Sequence, residues 1–316
     1  MDVSGPADPL QHLAARTLAA GDLEATFLPG HGMLGASLRH RGVELLRRVQ
    51  DLGAAAARGS TAGIPLLHPW ANRLAGLGYR AAGRTVALDR ASPLLHFDRQ
   101  GLPMHGVSWS QLAWAVTAAG RERVAARLDW ASDDRLAIFP FRHRVELTAT
   151  LDPAGLELET VLVAGQDGPV PVSFGFHPYL GLPGLARSRW RLRLPAMQRL
   201  VVDERGIPTG AEERFDGFDA VLGDRSFDDG FALLGENAAF SLAGAGRRLT
   251  VELLEGYTYA QIYAPAGDDL IALEPMTAPT NALASGRGLR LVEPGGRFRT
   301  AFRIGVEPDD RTAGIS

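Results

Sequence analysis

Two short segments each place an ionisable side chain directly before a proline. Glu274 follows a strand-like apolar run over residues 269–273 and precedes Pro275, and His177 precedes Pro178 in the same way. Because proline lacks an N–H and interrupts strand pairing, we expect both side chains at strand ends, facing a cleft. A carboxylate and an imidazole are suited to general acid–base catalysis, since their pKa values lie near or below neutrality and respond to their surroundings.

Either residue taken alone also has an ordinary structural explanation. A single glutamate is most often a solvated surface residue, and a histidine beside a proline turn is often a hydrogen-bonded structural residue. The occurrence of Glu274 and His177 in the same kind of segment favours a shared functional site over two unrelated structural roles.

These segments resemble the aldose 1-epimerase (galactose mutarotase) family. The stretches that carry the resemblance occur in the family's order over roughly residues 25–305: 63–74, 102–106 (Leu-Pro-Met-His-Gly), 174–179 (Phe-Gly-Phe-His-Pro-Tyr), 227–231 (Phe-Asp-Asp-Gly-Phe) and 272–283. The resemblance implies an all-β fold, a large antiparallel β-sandwich of the galactose mutarotase-like supersandwich type. The sugar would lie in an open cleft on one sheet face.

The resemblance also implies roles for individual residues. Glu274 would be the base that removes the proton of the anomeric hydroxyl, and His177 the acid that protonates the ring oxygen as the C1–O5 bond opens. Rotation about C1–C2 then presents the other carbonyl face, and the roles reverse. We expect an ionised Glu274 and a protonated His177 whose tips lie a sugar ring apart. The substrate-binding residues implied are Asn72, Arg73, His105 and Asp228.

Some assignments stay open at this stage. Asp229 competes with Asp228, because a one-residue shift exchanges them, although the flanking phenylalanines favour Asp228. His68 is expected to lie behind the substrate-contacting residues and to support them. Four aromatic residues near the motifs could stack on a pyranose, although core packing is the commoner role: Trp70, Trp109, Phe176 and Tyr179.

The chain departs from well-matched galactose mutarotases, which leaves the substrate open. It has Glu274-Pro-Met-Thr where those proteins have Glu-Thr-Gln, and it differs over residues 67–71. The first interpretation is a mutarotase of a free hexose or pentose. The alternatives are a hexose-phosphate epimerase of the same fold, which would use arginine because lysine is absent, and a non-catalytic carbohydrate-binding sandwich. A glycoside hydrolase using Glu274 and Asp228 needs carboxyls about 5–9.5 Å apart.

Two-residue periodicity dominates the chain and predicts strands. Apolar residues alternate over 144–151 and again over 156–163, and the turn between them contains Pro153, which predicts a hairpin with one buried face. Similar runs occur at 23–27, 33–38, 124–130, 190–194, 248–253 and 259–263. Many short strands favour a sandwich or barrel. The best helical candidate covers residues 9–20. We expect a single domain over 1–316 with a core from about 20 to 306.

Composition narrows the function class. A net charge of −3 with interspersed signs argues against nucleic acid as a partner. Without cysteine there are no disulfides or thiolate metal sites, which fits a reducing, cytoplasmic location. The N-terminus has no signal-peptide pattern, and no apolar run approaches the ~18 residues of a membrane span. No metal or cofactor motif is evident, so we expect a small sugar as partner, no cofactor, and a monomer or homodimer.

Overall fold

The structure is a computed structural model that describes residues 14–47 and 62–309. Secondary structure in this part is almost entirely β, which confirms the predicted all-β class. No helix within it is long and apolar enough to cross a membrane. Its helices are short: α1 (Asp133–Ile138), α2 (Ala282–Ser285) and the 3-10 turns Trp109–Gln111 and Arg187–Arg189.

The strands of the described residues follow one another closely along the chain. The first fourteen are β1 (Arg16–Ala20), β2 (Leu23–Leu28), β3 (Leu34–His40), β4 (Val43–Glu44), β5 (Leu66–Leu67), β6 (Gly78–Ala81), β7 (Arg84–Ala87), β8 (Leu95–Phe97), β9 (Pro103–Val107), β10 (Ala115–Ala119), β11 (Arg123–Trp130), β12 (His143–Asp152), β13 (Gly155–Ala164) and β14 (Val170–Val172). The remainder are β15 (Gly175–Phe176), β16 (Tyr179–Leu180), β17 (Arg191–Leu194), β18 (Met197–Val202), β19 (Pro208–Phe215), β20 (Phe218–Val221), β21 (Phe227–Leu233), β22 (Ala239–Gly244), β23 (Arg247–Glu255), β24 (Tyr259–Ala264), β25 (Ile271–Met276), β26 (Arg290–Val292) and β27 (Arg297–Pro308).

Two large antiparallel sheets dominate the architecture. One has nine strands in the order β10-β11-β12-β13-β27-β23-β22-β17-β20. The other has eight, seven of them in the order β19-β18-β21-β24-β25-β15-β5, while β16 pairs with β25 beside β15. A four-stranded sheet, β1-β2-β3-β4, contacts β12, and three two-stranded ladders complete the set. This is the large antiparallel sandwich that the resemblance implies.

The predicted hairpin supplies the third and fourth strands of the nine-stranded sheet. It appears as β12–β13, with Leu151 opposite Leu156. Its alternate side chains are fully buried, as the periodicity predicts: Val145, Leu147, Ala149, Leu151, Leu156, Leu158 and Leu162. The two large sheets meet through aromatic contacts, since the rings of Phe176 on β15 and Phe302 on β27 lie 5.1 Å apart. One continuous hydrophobic core therefore joins the sheets.

The helix predicted over residues 9–20 is wrong where the structure describes it. Residues 9–13 lie outside the described part, and Arg16–Ala20 forms β1, paired antiparallel with β2. Leu18 and Ala20 are buried, in the alternation of a half-covered strand. Helical propensity is a weak preference that tertiary pairing overrides, and here the neighbouring strand supplies that pairing.

Candidate active site

Three neighbouring strands of the eight-stranded sheet, β21, β24 and β25, present polar side chains on one face. Asp228 of β21 lies opposite Tyr263 of β24, and Gln261 of β24 lies opposite Glu274 of β25. Directly opposed residues project on the same side of a sheet, and Gln261 and Tyr263 are two residues apart on one strand. All four side chains therefore line one cleft.

The cleft encloses about 790 Å³ and brings together every site residue predicted from the sequence. These residues come from distant parts of the chain: Asn72, Arg73, His105, His177, Asp228 and Glu274. Over residues 14–47 and 62–309, no three His, Asp or Glu side chains are grouped as ligands of a metal ion.

Pro275 does not end the strand that carries Glu274, contrary to the sequence prediction. β25 continues through it to Met276, and Pro275 lies opposite Ala260 on β24. The other edge of β25 is broken instead, because β16 pairs with its first half and β15 with its last residue. A proline is tolerated where a sheet edge is locally unpaired. The break falls at His177, whose side chain thereby reaches Glu274.

Glu274 and His177 are in direct contact. Nε2 of His177 lies 3.1 Å from Oε1 of Glu274, and both side chains are buried. The prediction that their tips lie a sugar ring apart is wrong for this structure. The physical reason is the broken sheet edge, which places the two residues side by side and which no local sequence pattern reveals.

Burial drives the pKa values of the two groups in opposite directions. It raises the pKa of Glu274 well above 4.5, with the Asp228 charge adding to the rise and Arg73 opposing it. It lowers the pKa of His177 to about 3. Both shifts favour the uncharged form of each group. The predicted ionised Glu274 beside a protonated His177 is therefore the form that burial disfavours, and a single proton shared by the pair lies preferentially on the carboxyl.

The remaining polar atoms of the pair face outward from the contact. Neither Nδ1 of His177 nor Oε2 of Glu274 has a hydrogen-bond partner among the described residues. The Tyr179 ring stacks on His177 at 4.1 Å with an interplanar angle of 20°, which fixes the plane of the imidazole. Buried polar atoms without partners are rare and call for an explanation. Glu274 lines the cleft, and Oε2 is its carboxyl oxygen that lacks a partner among the described residues.

The Arg73 guanidinium is held by two neighbours. Nε donates to Oδ2 of Asp98 at 2.8 Å, and a terminal nitrogen donates to Oδ1 of Asn72 at 3.2 Å. Burial acts to raise the pKa of Asp98, but the N–H groups of Leu102 and Gln100 and the Arg73 charge together hold it below 3.8. Asp98 therefore stays ionised at neutral pH. A guanidinium fixed along one edge can offer its other N–H groups to adjacent oxygens.

His105 and Asn72 hydrogen-bond each other reciprocally. The Asn72 N–H donates to Nδ1 of His105 at 3.1 Å, and the His105 N–H donates to the Asn72 carbonyl at 2.9 Å. Burial, then the neighbouring His177 and Arg73, lower the pKa of His105 well below 6.5, so its ring is neutral. Because Nδ1 accepts, Nε2 carries the hydrogen and is a donor. Both residues have positive φ, 60° and 56°, a conformation that clusters at functional sites.

Gly106 allows the loop of His105 to pack closely. It has a φ of 65°, and a Cβ built there would lie 2.4 Å from the carbonyl oxygen of His68. The N–H of Val107 donates to that same carbonyl at 2.9 Å. A side chain at position 106 would therefore displace the loop and His105 with it.

The structure distinguishes the two neighbouring aspartates. Asp228 lines the cleft and accepts a hydrogen bond from Nε2 of Gln261 at 2.8 Å. Asp229 projects to the opposite face of β21, where Arg199 lies 3.9 Å away. The placement of Asp228 agrees with the choice made from the flanking phenylalanines.

Comparison with known proteins places the chain in a family. The sequence profile of aldose 1-epimerases matches residues 31–305. The chain belongs to the aldose 1-epimerase family. Its curated relatives include the uncharacterised protein YihR of Escherichia coli K12, 28% identical over 319 residues that cover 93% of this chain and 94% of that protein.

Solved structures share the fold of this aldose 1-epimerase family member. A galactose mutarotase-like protein from Clostridium acetobutylicum matches with a TM-score of 0.81 at 20% identity, covering 93% of this chain and 95% of the other. The Slr1438 protein from Synechocystis matches with a TM-score of 0.78 at 24% identity, covering 98% of this chain and all of the other. At such identities the likeness shows the galactose mutarotase-like sandwich and nothing finer.

Packing shows where the other residues left open by the sequence lie in this aldose 1-epimerase family chain. The His68 side chain is buried against β12, where its Nε2 lies 2.9 Å from Nε2 of His143, and its backbone carbonyl accepts from the N–H of Val107. Of the four aromatic candidates, Tyr179 lines the cleft. The other three are at most 3% exposed and belong to the core: Trp70, Trp109 and Phe176.

Sequence reasoning missed several cleft residues of the epimerase-family chain: Arg47, His96, Phe97, Asp98, Arg99, Gln100, Met104, Gln261 and Tyr263. A signal existed for Gln261, a polar residue within the predicted strand 259–263 whose neighbours are largely apolar. Asp98 also had a local signal, because its side chain accepts from Gln100 as aspartates in turns do. No signal in the sequence indicated that Asp98 pairs with Arg73.

Proposed function

We propose that the protein is a mutarotase that interconverts the α and β anomers of a free aldose. The observation that carries the proposal is the buried contact of Glu274 with His177 at the wall of a polar cleft. Membership of the aldose 1-epimerase family supports it. An acid and a base held beside one substrate are what ring opening requires, because protons must leave one oxygen and reach another.

The proton inventory of the pair fits the reaction. Transfer of the single proton from Oε1 to Nε2 gives an ionised Glu274 and a protonated His177. Glu274 then takes the proton of the anomeric hydroxyl while His177 gives its proton to the ring oxygen, and the C1–O5 bond breaks. The products are an open-chain aldehyde, a neutral carboxyl and a neutral imidazole. After rotation about C1–C2, the reverse transfers close the ring as the other anomer, with no net change in protons.

The remaining site residues supply groups that bind hydroxyls. Arg73, held by Asp98, and the Nε2–H of His105 are donors, and the Asp228 carboxylate is an acceptor. A polyol presents both donors and acceptors on neighbouring carbons, so this mixture suits it. We assign Asn72 to orienting Arg73, since its side-chain oxygen accepts from that residue twice.

Polarimetry tests the proposal. Freshly dissolved α-glucose and α-galactose should approach their equilibrium rotation faster with the protein than without it, in the absence of added metal or nucleotide. The Glu274→Gln variant is the matched control, because it preserves size and hydrogen bonding but removes the base. Equal rates for the wild type and this variant would refute the assignment.

A phosphorylated aldose is the second candidate substrate. Arg47 and Arg99 line the same cleft as Arg73, and phosphate recognition depends on such cations. Fresh α-glucose 6-phosphate in the same assay distinguishes the two. Turnover of the phosphate alone would replace the free sugar in our proposal. Sugar binding by calorimetry without turnover of either compound would instead indicate a carbohydrate-binding sandwich.

A further inference from the structure

His68 and His143 form a buried contact that joins the segment after β5 to the nine-stranded sheet. Nε2 of His68 lies 2.9 Å from Nε2 of His143, the first residue of β12. Both side chains are buried, and neither residue is among those that line the cleft. The proposed proton transfers therefore do not involve this pair of titratable groups, whose presence in the core calls for an explanation of its own.

The protons of the pair can be assigned from the His143 end. Nδ1 of His143 lies 2.6 Å from the carbonyl oxygen of Phe141, and because a carbonyl only accepts, Nδ1 carries the hydrogen. In the neutral ring Nε2 of His143 is then an acceptor, and Nε2 of His68 donates to it. Nδ1 of His68 is left without a hydrogen, buried and without a partner among residues 14–47 and 62–309.

The surroundings of the pair disfavour a charge. The Trp130 ring of β11 stacks on His143 with an interplanar angle of 19° and meets His68 edge-on at 5.1 Å, and Phe174 lies 6.2 Å from His68. The titratable and charged groups that act on the pair are the two imidazoles and Arg135 of α1, whose guanidinium lies 5.9 Å from the Trp130 ring. Burial lowers the pKa of His143 to about 4 and, with the neighbouring cations, that of His68 well below 6.5.

A proton added to either ring is unfavourable in the folded protein. At Nε2 of His143 it would set two N–H groups against each other and remove the acceptor of the hydrogen bond. At Nδ1 of His68 it would create a buried cation whose new N–H has no acceptor. The unfolded chain takes up both protons near pH 6.5. Because both folded pKa values are depressed, the stability that the neutral pair provides is complete above about 6.5 and is lost as pH falls toward the folded values.

The backbone of His68 connects this pair to two segments of the cleft. Its carbonyl accepts from the N–H of Val107, beside the loop of His105. Asn72 and Arg73 follow on the same segment as His68. Release of His68 from β12 therefore loosens both segments at once.

We propose that the His68–His143 hydrogen bond is an acid-sensitive latch: its neutral form ties residues 66–73 to β12, and proton uptake on acidification makes the release of that segment easier. The latch is a property of the fold and does not depend on which reaction the cleft catalyses. It acts on local opening, whereas the Glu274–His177 contact concerns the chemistry of the closed form.

Hydrogen exchange of the wild type, followed by mass spectrometry, tests the latch. After correction for the intrinsic rate, peptides covering 62–74 and 103–107 should exchange roughly tenfold or more faster at about pH 5 than at about pH 7, since opening then takes up protons. The β18–β19 hairpin, which pairs with β21, is the internal control and should change much less. Equal acceleration in all peptides, or none in the two segments, would overturn the proposal.

Replacement of both histidines should remove the effect of pH. Glutamine keeps an amide that can donate and accept but does not titrate, so His68→Gln combined with His143→Gln should exchange in the two segments at nearly equal corrected rates at both pH values. His40→Gln is the matched control, because it removes a histidine of lowered pKa on β3, outside the pair, and should retain the acceleration. Undiminished acceleration in the double variant would refute the latch, and the wild-type comparison decides the matter if that variant does not fold.

Discussion

His177 and Glu274 touch across a break in a sheet edge, with Nε2 of one 3.1 Å from Oε1 of the other. β15 and β16 pair with the two ends of β25 and leave His177 beside its middle. Two ionisable groups this close titrate as one unit, and their apparent pKa values belong to the pair. This coupling determines how activity should depend on pH.

We expect a bell-shaped profile of kcat/KM that is wider than separate Glu and His residues would give. The acid limb marks uptake of a second proton, and burial moves it well below 6.5 because it lowers the pKa of His177 to about 3. The alkaline limb marks loss of the single proton, and burial moves it well above 4.5 because it raises the pKa of Glu274. Initial rates corrected for the spontaneous reaction measure both limbs. A narrow optimum bounded by 4.5 and 6.5 would contradict the coupled pair.

Replacement of either member of the pair should lower kcat. Glu274→Gln removes the base and His177→Asn removes the acid, so each should reduce kcat by roughly 10²–10⁴-fold, the usual contribution of positioned acid–base catalysis. KM should change less, since Arg73, His105 and Asp228 remain. The double variant should lose less than the product of the single losses. A fully multiplicative loss would show that the two residues act independently.

The same replacement of Glu274 should stabilise the protein above pH 4.5. The folded pKa of Glu274 is raised, so the unfolded chain ionises first, and folded-state stability falls as pH rises from about 4.5 toward the folded value. The uncharged amide of the Glu274→Gln variant does not ionise and carries no such penalty. The melting temperature of this variant minus that of the wild type should be larger at about pH 8 than at about pH 5. A difference that does not grow with pH would contradict the raised pKa.

Removal of Asp98 should weaken sugar binding without abolishing turnover. Asp98→Ala frees the Arg73 guanidinium from its 2.8 Å contact, and we expect KM to rise by roughly tenfold while kcat falls much less. Asp22→Ala is the control, because it breaks an equally short but exposed pair with Arg41, and exposed pairs contribute little. A larger fall in kcat than rise in KM would place Asp98 in the chemical step.

A methyl group at Gly106 should disturb the loop of His105. Gly106→Ala combines the strain of a positive φ with a Cβ only 2.4 Å from a carbonyl oxygen. Gly42→Ala is the control for strain alone, since Gly42 has a φ of 75° and open space around it, and it should cost about 1–2 kcal/mol. Denaturant unfolding should show a larger loss for Gly106→Ala. Equal losses would mean that the loop does not pack as closely as described.

Local sequence patterns were sufficient to predict the strands in which apolar and polar residues alternate regularly. The hairpin of β12 and β13 could be predicted because each strand carries its own two-residue repeat and the turn between them contains a proline. The helix predicted over 9–20 failed because a short segment with mixed signals takes its conformation from its neighbours, here β2. The prediction that Pro275 ends the strand failed for a similar reason, because the edge of the sheet is locally unpaired there.

The residues that form the candidate site could be predicted better than the distances between them. Motifs around Arg73, His105, His177, Asp228 and Glu274 identified residues that do converge on one cleft. Their separations depend on strand order and register, which arise from pairing between remote segments. The contact of Glu274 with His177, the Asp98 partner of Arg73 and the Gln261 partner of Asp228 all cross such pairings, so no single segment encodes them.

The reciprocal hydrogen bonds between Asn72 and His105 have a mechanical consequence. Two loops that are remote in sequence are joined by these two hydrogen bonds. The N–H of Leu74 donates a third hydrogen bond, to the carbonyl of Pro103. Neither loop can swing outward without leaving the amides of both unpaired. Arg73 and His105 therefore move together, so the spacing of these two cleft groups is held by the hydrogen bonds between their loops and does not depend on a bound sugar.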